Sequence, residues 1–169
     1  IVSGAENQCQ LISERLKTQG IEVAILTRHY QGLKYLEEIN SIPVYRIPTL
    51  GKGIVASITF TIFSLLWLFR CGRRFDVFHC HQALSPTTIG IMGKILWRKK
   101  VLTKIACTGE YGDISEIKRF PFLSLRKQIL KKVDTFVSLN PLAEVELSEL
   151  GLQKFNMVSI PNGVELNTY

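Results

Sequence analysis

Residues 75–107 read FDVFHCHQALSPTTIGIMGKILWRKKVLTKIAC, and this stretch decides the fold. Residues 75–81 have strand character. Ser85-Pro86 then sets proline in the first turn of a helix behind a capping side chain, and the helix is expected to run to about Trp97. A second strand follows at residues 101–107. Strand, helix and strand in so short a span make the repeating unit of a parallel sheet with right-handed crossovers.

The same alternation extends in both directions. Ser3 and Glu6 form an S-x-x-E capping box, Ala5, Cys9, Ile12 and Leu16 recur at helical spacing, and Gly20 supplies a left-handed stop, so the first helix covers about residues 4–19. Residues 21–27, IEVAILT, read as a strand buried on both faces. A short strand at 44–48 and an apolar helix at 54–69 follow. On the far side lie a basic helix at 122–133, a strand at 135–139, a helix from Asn140-Pro141 to Gly151-Leu152, and a strand at 156–160 closing on Pro161-Asn162-Gly163. The fold class is α/β, a Rossmann-like doubly wound parallel sheet. Because the capping box stands at the very start, the first, central strand of such a sheet is expected to be missing, leaving its neighbours unpaired. Residues 1–169 are therefore expected to be a single domain cut from a longer protein.

Composition supports a globular chain: 169 residues, 46% hydrophobic and 21% charged. The four cysteines, Cys9, Cys71, Cys80 and Cys107, show no C-x-x-C pair and are expected to be reduced core residues. No leader pattern opens the chain, so a cytoplasmic location is expected. The net charge of +7 favours anionic partners. Basic residues gather at Lys52, Arg70, Arg73, Arg74 and at Arg98, Lys99, Lys100, at ends of apolar helical runs with few interleaved aromatics. That placement favours a membrane surface over nucleic acid. The charge-free stretch 53–69 is diluted by Ser57, Thr59, Thr61 and Ser64, and reads as a sheet-packed helix whose outer face touches membrane rather than as a span.

Ligands of open α/β sheets bind beyond the carboxyl ends of the strands, which directs attention to the loops there. Ser3, Gly4 and Ala5 offer small side chains and free N–H groups at a helix start, suited to a phosphate or simply to a capped helix. His81 ends its strand and can hydrogen-bond a substrate hydroxyl; His79 reads as a core histidine. A metal at His79-Cys80-His81 is not expected, because Cys80 points to the opposite face and no further ligand pair is near. Gly51, Gly53 and Ala56 match G-x-G-x-x-A, with Asp76 twenty residues beyond Ala56. Asp76, however, opens its strand and so lies at the wrong edge to hold a dinucleotide ribose. Glu110 and Asp113 are either acid, base or substrate ligands, or solvated loop charges. No nucleotide-triphosphate loop, serine elbow or zinc helix motif is present.

Taken together, the loops resemble a family. Ser3-Gly4-Ala5-Glu6 is similar to its G-G-x-E loop, residues 75–81 to its D-V-h-H-x-H strand, and Ile160-Pro161-Asn162-Gly163-Val164-Glu165 to the I-P-N-G-V-D close of the N-terminal domain in family 4 glycosyltransferases. The resemblance implies the N-terminal half of a GT-B fold: an acceptor-binding domain facing a donor-binding domain absent from this chain. It implies a retaining transfer from a nucleotide sugar to a sugar or lipid-linked acceptor, in cell-envelope or polysaccharide synthesis, without a metal or other cofactor. Gly4 and Ala5 would then approach the donor diphosphate, His81 would be catalytic near the acceptor, and Gly109, Glu110 and Asp113 would line the acceptor side. Asn162 and Gly163 would flank the interdomain cleft. Ser3 stands for the family's first glycine, Glu165 for its aspartate, and the histidine that many relatives carry after the strand at 101–107 is missing. The alternatives are a non-catalytic, membrane-associated binding module that recruits a separate catalytic chain, and a nicotinamide-dinucleotide-binding domain. Neither reading calls for nucleic acid, and a peripheral position on the inner membrane face is the expectation.

Overall fold

Local chemistry sets the first boundary. Helix α1 (Gly4–Thr18) ends where Gly20 takes φ +80, so that the Gly20 amide donates to Lys17 O (2.9 Å) and the Ile21 amide to Leu16 O (3.1 Å). This paired left-handed ending consumes the first amides after the helix. Strand β1 therefore begins at Ile25 and runs Ile25–Arg28, not from residue 21. The computed structural model describes residues 4–119, 121–152 and 156–163. The chain divides into two units, Ile1–Arg70 and Cys71–Tyr169, and the described strands form two sheets instead of the one expected.

The first unit holds α1, β1, β2 (Leu36–Ile39), β3 (Ile42–Ile47) and α2 (Gly53–Cys71), whose last residue opens the second unit. Its sheet has the order β1-β3-β2, with β1 parallel and β2 antiparallel to β3. The antiparallel β2 goes beyond the elements expected above. Asn40 and Ser41 join it to β3 with φ of 49 and 62, the left-handed pair that matches the twist of a two-residue hairpin. Glu37 of β2 pairs at 2.7 Å with the buried Arg46 of β3, which also donates to Lys34 O at 2.9 Å. The turn is tied to α1 as well: Asn40 Nδ2 donates to Glu14 Oε1 at 2.7 Å, and Lys17 donates to Ser41 O.

Helix α2 buries Ala56, Phe60, Ser64 and Leu68, one residue in four. The Arg28 guanidinium lies 5.1 Å from the Phe60 ring centre and donates to Ser57 Oγ at 3.2 Å, while Trp67 packs on Tyr45 with ring centres 4.8 Å apart. The Leu50 amide donates to Thr59 Oγ1 at 3.0 Å, fastening the incoming loop.

The second unit is the expected alternation. Strands β4 (Val77–Cys80), β5 (Lys100–Lys104), β6 (Thr135–Ser138) and β7 (Met157–Ser159) lie in that order, all parallel. Helices α3 (Ser85–Trp97), α4 (Asp113–Arg119), α5 (Leu123–Leu130) and α6 (Pro141–Glu149) alternate with them, α4 being a short addition to the expected set. The core cluster includes Cys80, Val101, Ile105 and Phe136 from the sheet side and Ile91, Ile117, Leu130 and Leu147 from the helices. A side chain at Gly90 of α3 would place its Cβ 2.6 Å from Cys80 Sγ, so glycine is what lets α3 approach β4. Asp134 closes the opposite end, accepting from Lys94 (2.8 Å), Lys100 (3.2 Å) and the Val101 amide (2.9 Å). Those contacts hold its carboxyl below the ordinary carboxylate range although burial opposes them. None of the four cysteines is in a disulfide, and only Cys80 is buried; Cys107 is exposed, against the expectation of a core residue.

Candidate functional site

Parallel strands bring their carboxyl ends to one rim, and the second unit collects there most of the residues that the sequence singled out. Successive loops are stitched together by two carboxylates. Asp113, at the start of α4, is buried, and its Oδ2 accepts from the Ala83 amide (3.2 Å) and the Ala106 amide (3.0 Å). It thereby joins the loops after β4 and β5. Burial raises its pKa above the carboxylate norm, the two amides counteract this, and the charges of Glu116 and Glu146 add to the rise. Glu146 of α6 accepts from the Gly109 amide at 2.7 Å, and Ser115 Oγ donates to Gly109 O at 2.7 Å. Gly109 takes φ +88, and a Cβ at Gly112 would stand 2.7 Å from Thr108 backbone atoms, so this tight turn requires both glycines.

Behind the next loop, Asn140 caps α6 through Oδ1, which accepts from the Ala143 amide at 3.0 Å, and its Nδ2 reaches Thr108 Oγ1 at 3.4 Å. Glu110 lies outside the network; its carboxylate is exposed, with Arg119 Nη2 at 3.8 Å.

On the sheet itself, His79 and His81 share one face, with ring centres 4.3 Å apart and a 37° tilt. Lys104 follows the register pair Cys80↔Thr103 by one residue, which sets it level with His81 on that face. Lys104 is buried and donates to Asn162 Oδ1 at 2.7 Å, linking β5 to the turn after β7 across 58 residues of sequence. Burial, the neighbouring His79 and the Lys104 charge push the His81 pKa down to about 3. Burial and Lys104 lower that of His79 in the same way. Both imidazoles are therefore neutral near pH 7, each offering one acceptor nitrogen and one donor N–H. His79 Nε2 is buried and has no hydrogen-bond partner among the described residues.

The rim thus joins His81, Gly109, Asp113 and Asn162 through contacts or shared loops, with the exposed Gly163 beside Asn162. Lys104 and Glu146 were not singled out by sequence. A lysine inside the apolar run 101–107 was the signal for the first; nothing local marked the second. Gly4 and Ala5 belong to the first unit, where they open α1. A Cβ at Gly4 would meet nothing within 4 Å, so its backbone is open to approach. Ser3, Val164 and Glu165 lie outside the described residues. No group of three or more His, Cys, Asp or Glu side chains able to hold a metal occurs among the described residues.

Against solved structures, 99% of the chain superposes on 43% of HepE from Anabaena, solved with UDP and glucose, with a TM-score of 0.71 and 12% identity. HepE solved with UDP-glucose matches over 98% of this chain and 42% of its own, with a TM-score of 0.66 and 10% identity. The sucrose-phosphate synthase of Thermosynechococcus elongatus matches over 98% of this chain and 44% of its own, with a TM-score of 0.72 and 15% identity. The chain thus spans less than half the length of these proteins, 42% to 44%. No curated protein sequence matches it. The likeness establishes the fold, a Rossmann-like α/β unit corresponding to the N-terminal half of GT-B glycosyltransferases. The sequence profile of Glycosyltransferase Family 4 matches residues 2–168, and the chain belongs to that family.

Proposed function

We propose that the chain is the acceptor-side half of a retaining glycosyltransferase that uses a nucleotide sugar, with the donor-binding half lying outside these residues. The observation that carries the reading is the rim of the second unit. Neutral His81 stands beside buried Lys104, which grips Asn162, and the adjoining loops are clamped by Asp113 and Glu146. A neutral imidazole accepts a hydrogen bond from an acceptor hydroxyl and orients its oxygen toward the anomeric carbon. The glycosidic bond forms there as the bond to the diphosphate breaks, and the hydroxyl proton leaves with the departing phosphate. By the family resemblance, the helix start at Gly4 and Ala5 would meet the negative charge that develops on that phosphate, as helix-start amides suit an anion. The occurrence of UDP, glucose and UDP-glucose in the HepE structures supports a uridine diphosphate sugar as donor.

The test is transfer by the full-length protein from a panel of nucleotide sugars. Gly4→Asp, which meets no steric obstacle, is expected to lower the rate about 100-fold by setting a carboxylate against the donor phosphates. His81→Ala is expected to lower transfer to acceptor more than it lowers donor binding. Undiminished transfer in either variant removes that residue from the site. A full-length protein that binds no nucleotide sugar overturns the reading in favour of the binding module.

A further inference from the structure

We propose that the outer face of α2 is a docking surface for an anionic lipid bilayer, on which the helix lies without crossing it. The proposal goes beyond the transfer chemistry and does not depend on it. Helix α2 carries two opposed stripes. Ala56, Phe60, Ser64 and Leu68 are buried. Ile54, Ile58, Ile62, Leu66 and Phe69 are 50% to 65% exposed. The second stripe is offset from the first by two residues, about 200° around the axis. So long a line of exposed branched and aromatic side chains is uncommon on a surface that meets only water.

Two observations choose the occupant. Residues 48–75 contain Lys52, Arg70, Arg73 and Arg74 and no aspartate or glutamate, so the apolar stripe is bracketed by positive charge at both ends. A second copy docking through this face would bring like charges together in either orientation. An anionic headgroup layer neutralises both ends while the acyl boundary receives the stripe. The stretch Gly53–Arg74 is long and apolar enough to cross a membrane by length and composition. Its inner stripe nevertheless remains engaged: Arg28 lies over Phe60 and bonds Ser57, and Trp67 packs on Tyr45. Crossing would strip those contacts away, whereas lying flat keeps them.

The experiment is co-sedimentation of the full-length protein with vesicles of phosphatidylcholine alone or of phosphatidylcholine mixed with phosphatidylglycerol. Binding is expected to be at least about tenfold tighter on the mixed vesicles and to weaken as salt is raised. The pair Ile58→Ser and Ile62→Ser should abolish it with the far-UV circular dichroism unchanged. The pair Arg73→Gln and Arg74→Gln should remove most of the preference for anionic lipid, and decides alone if the serine pair fails to fold. Equal binding to both vesicles, or none, overturns the proposal. So does a fraction that resists alkaline carbonate, which means a span, or a soluble dimer that the serine pair dissolves, which means a second copy.

Discussion

The two units solve the same packing problem with different resources. In the second, four parallel strands share a continuous core in which Val101, Ile105, Phe136, Ala143 and Leu147 are fully buried. In the first, three short strands bury mainly β3, and α2 offers water a face as apolar as the one it hides. An apolar run reports that a segment is able to be buried; it does not say which side is covered. The sequence of α2 reads as a sheet-packed helix with an outer face toward membrane, but only the folded chain says which residues form each stripe.

The contrast can be broken or sharpened by measurement. Phe136→Ala removes a ring with no exposed surface and is expected to lower stability by about 3–5 kcal/mol in denaturant unfolding. A single Ile58→Ser on the open face of α2 should change it by less than about 0.5 kcal/mol. Similar losses for the two would erase the distinction. Gly90→Ala forces a methyl to within 2.6 Å of Cys80 Sγ and should destabilise by about 1–3 kcal/mol. Adding Cys80→Ala should recover part of that, so a double-mutant cycle with no coupling would show that α3 does not rest on β4 as described.

Acidity probes the rim. His81 stays neutral in the folded protein down to about pH 3, against an ordinary histidine pKa of 6.5. The unfolded chain takes the proton first, so this group's contribution is complete above pH 6.5 and is lost as the pH falls from there toward 3. The slope from one such proton is at most about 1.4 kcal/mol per pH unit, and His79 acts in the same sense. His81→Gln should flatten the fall of the thermal midpoint across that window; an unchanged slope assigns it to other groups. The one expected gain belongs to the first unit. Ser41→Gly relieves a left-handed serine in the hairpin turn and should add about 1 kcal/mol of stability.

What the sequence revealed followed the range of the interactions involved. The β4, α3 and β5 elements were legible because each is an apolar run bounded by its own break, although the cap expected from Ser85 is not made: Ser85 is the first residue of α3, behind Leu84, and no side chain caps the helix. Strand β2 was not, since Leu36-Glu37-Glu38-Ile39 puts two carboxylates in four positions and its reason for pairing is the buried Arg46 seven to ten residues away. Helix α4 has seven residues, too few to display a helical period. At the site, His81, Gly109 and Asn162 were found because strand ends and glycine turns mark the rim locally. The Lys104 contact to Asn162 joins residues 58 apart, and the Glu146 contact to the Gly109 amide joins residues 37 apart. Such pairs leave no local pattern. Asp113 was singled out, yet its chemistry as a clamp between two loop amides becomes visible only when both loops are in place.

That clamp has an evolutionary consequence. Asp113 and Glu146 hold the turn after β5 from its base and flank, while Glu110 and Tyr111 are exposed and make none of these clamping hydrogen bonds. Mutation of Glu110 or Tyr111 can therefore redraw what the rim displays without loosening its scaffold, provided that Gly109 and Gly112 are kept. Under the acceptor role proposed for this rim, the positions of Glu110 and Tyr111 are where a new specificity can be explored at small risk to folding.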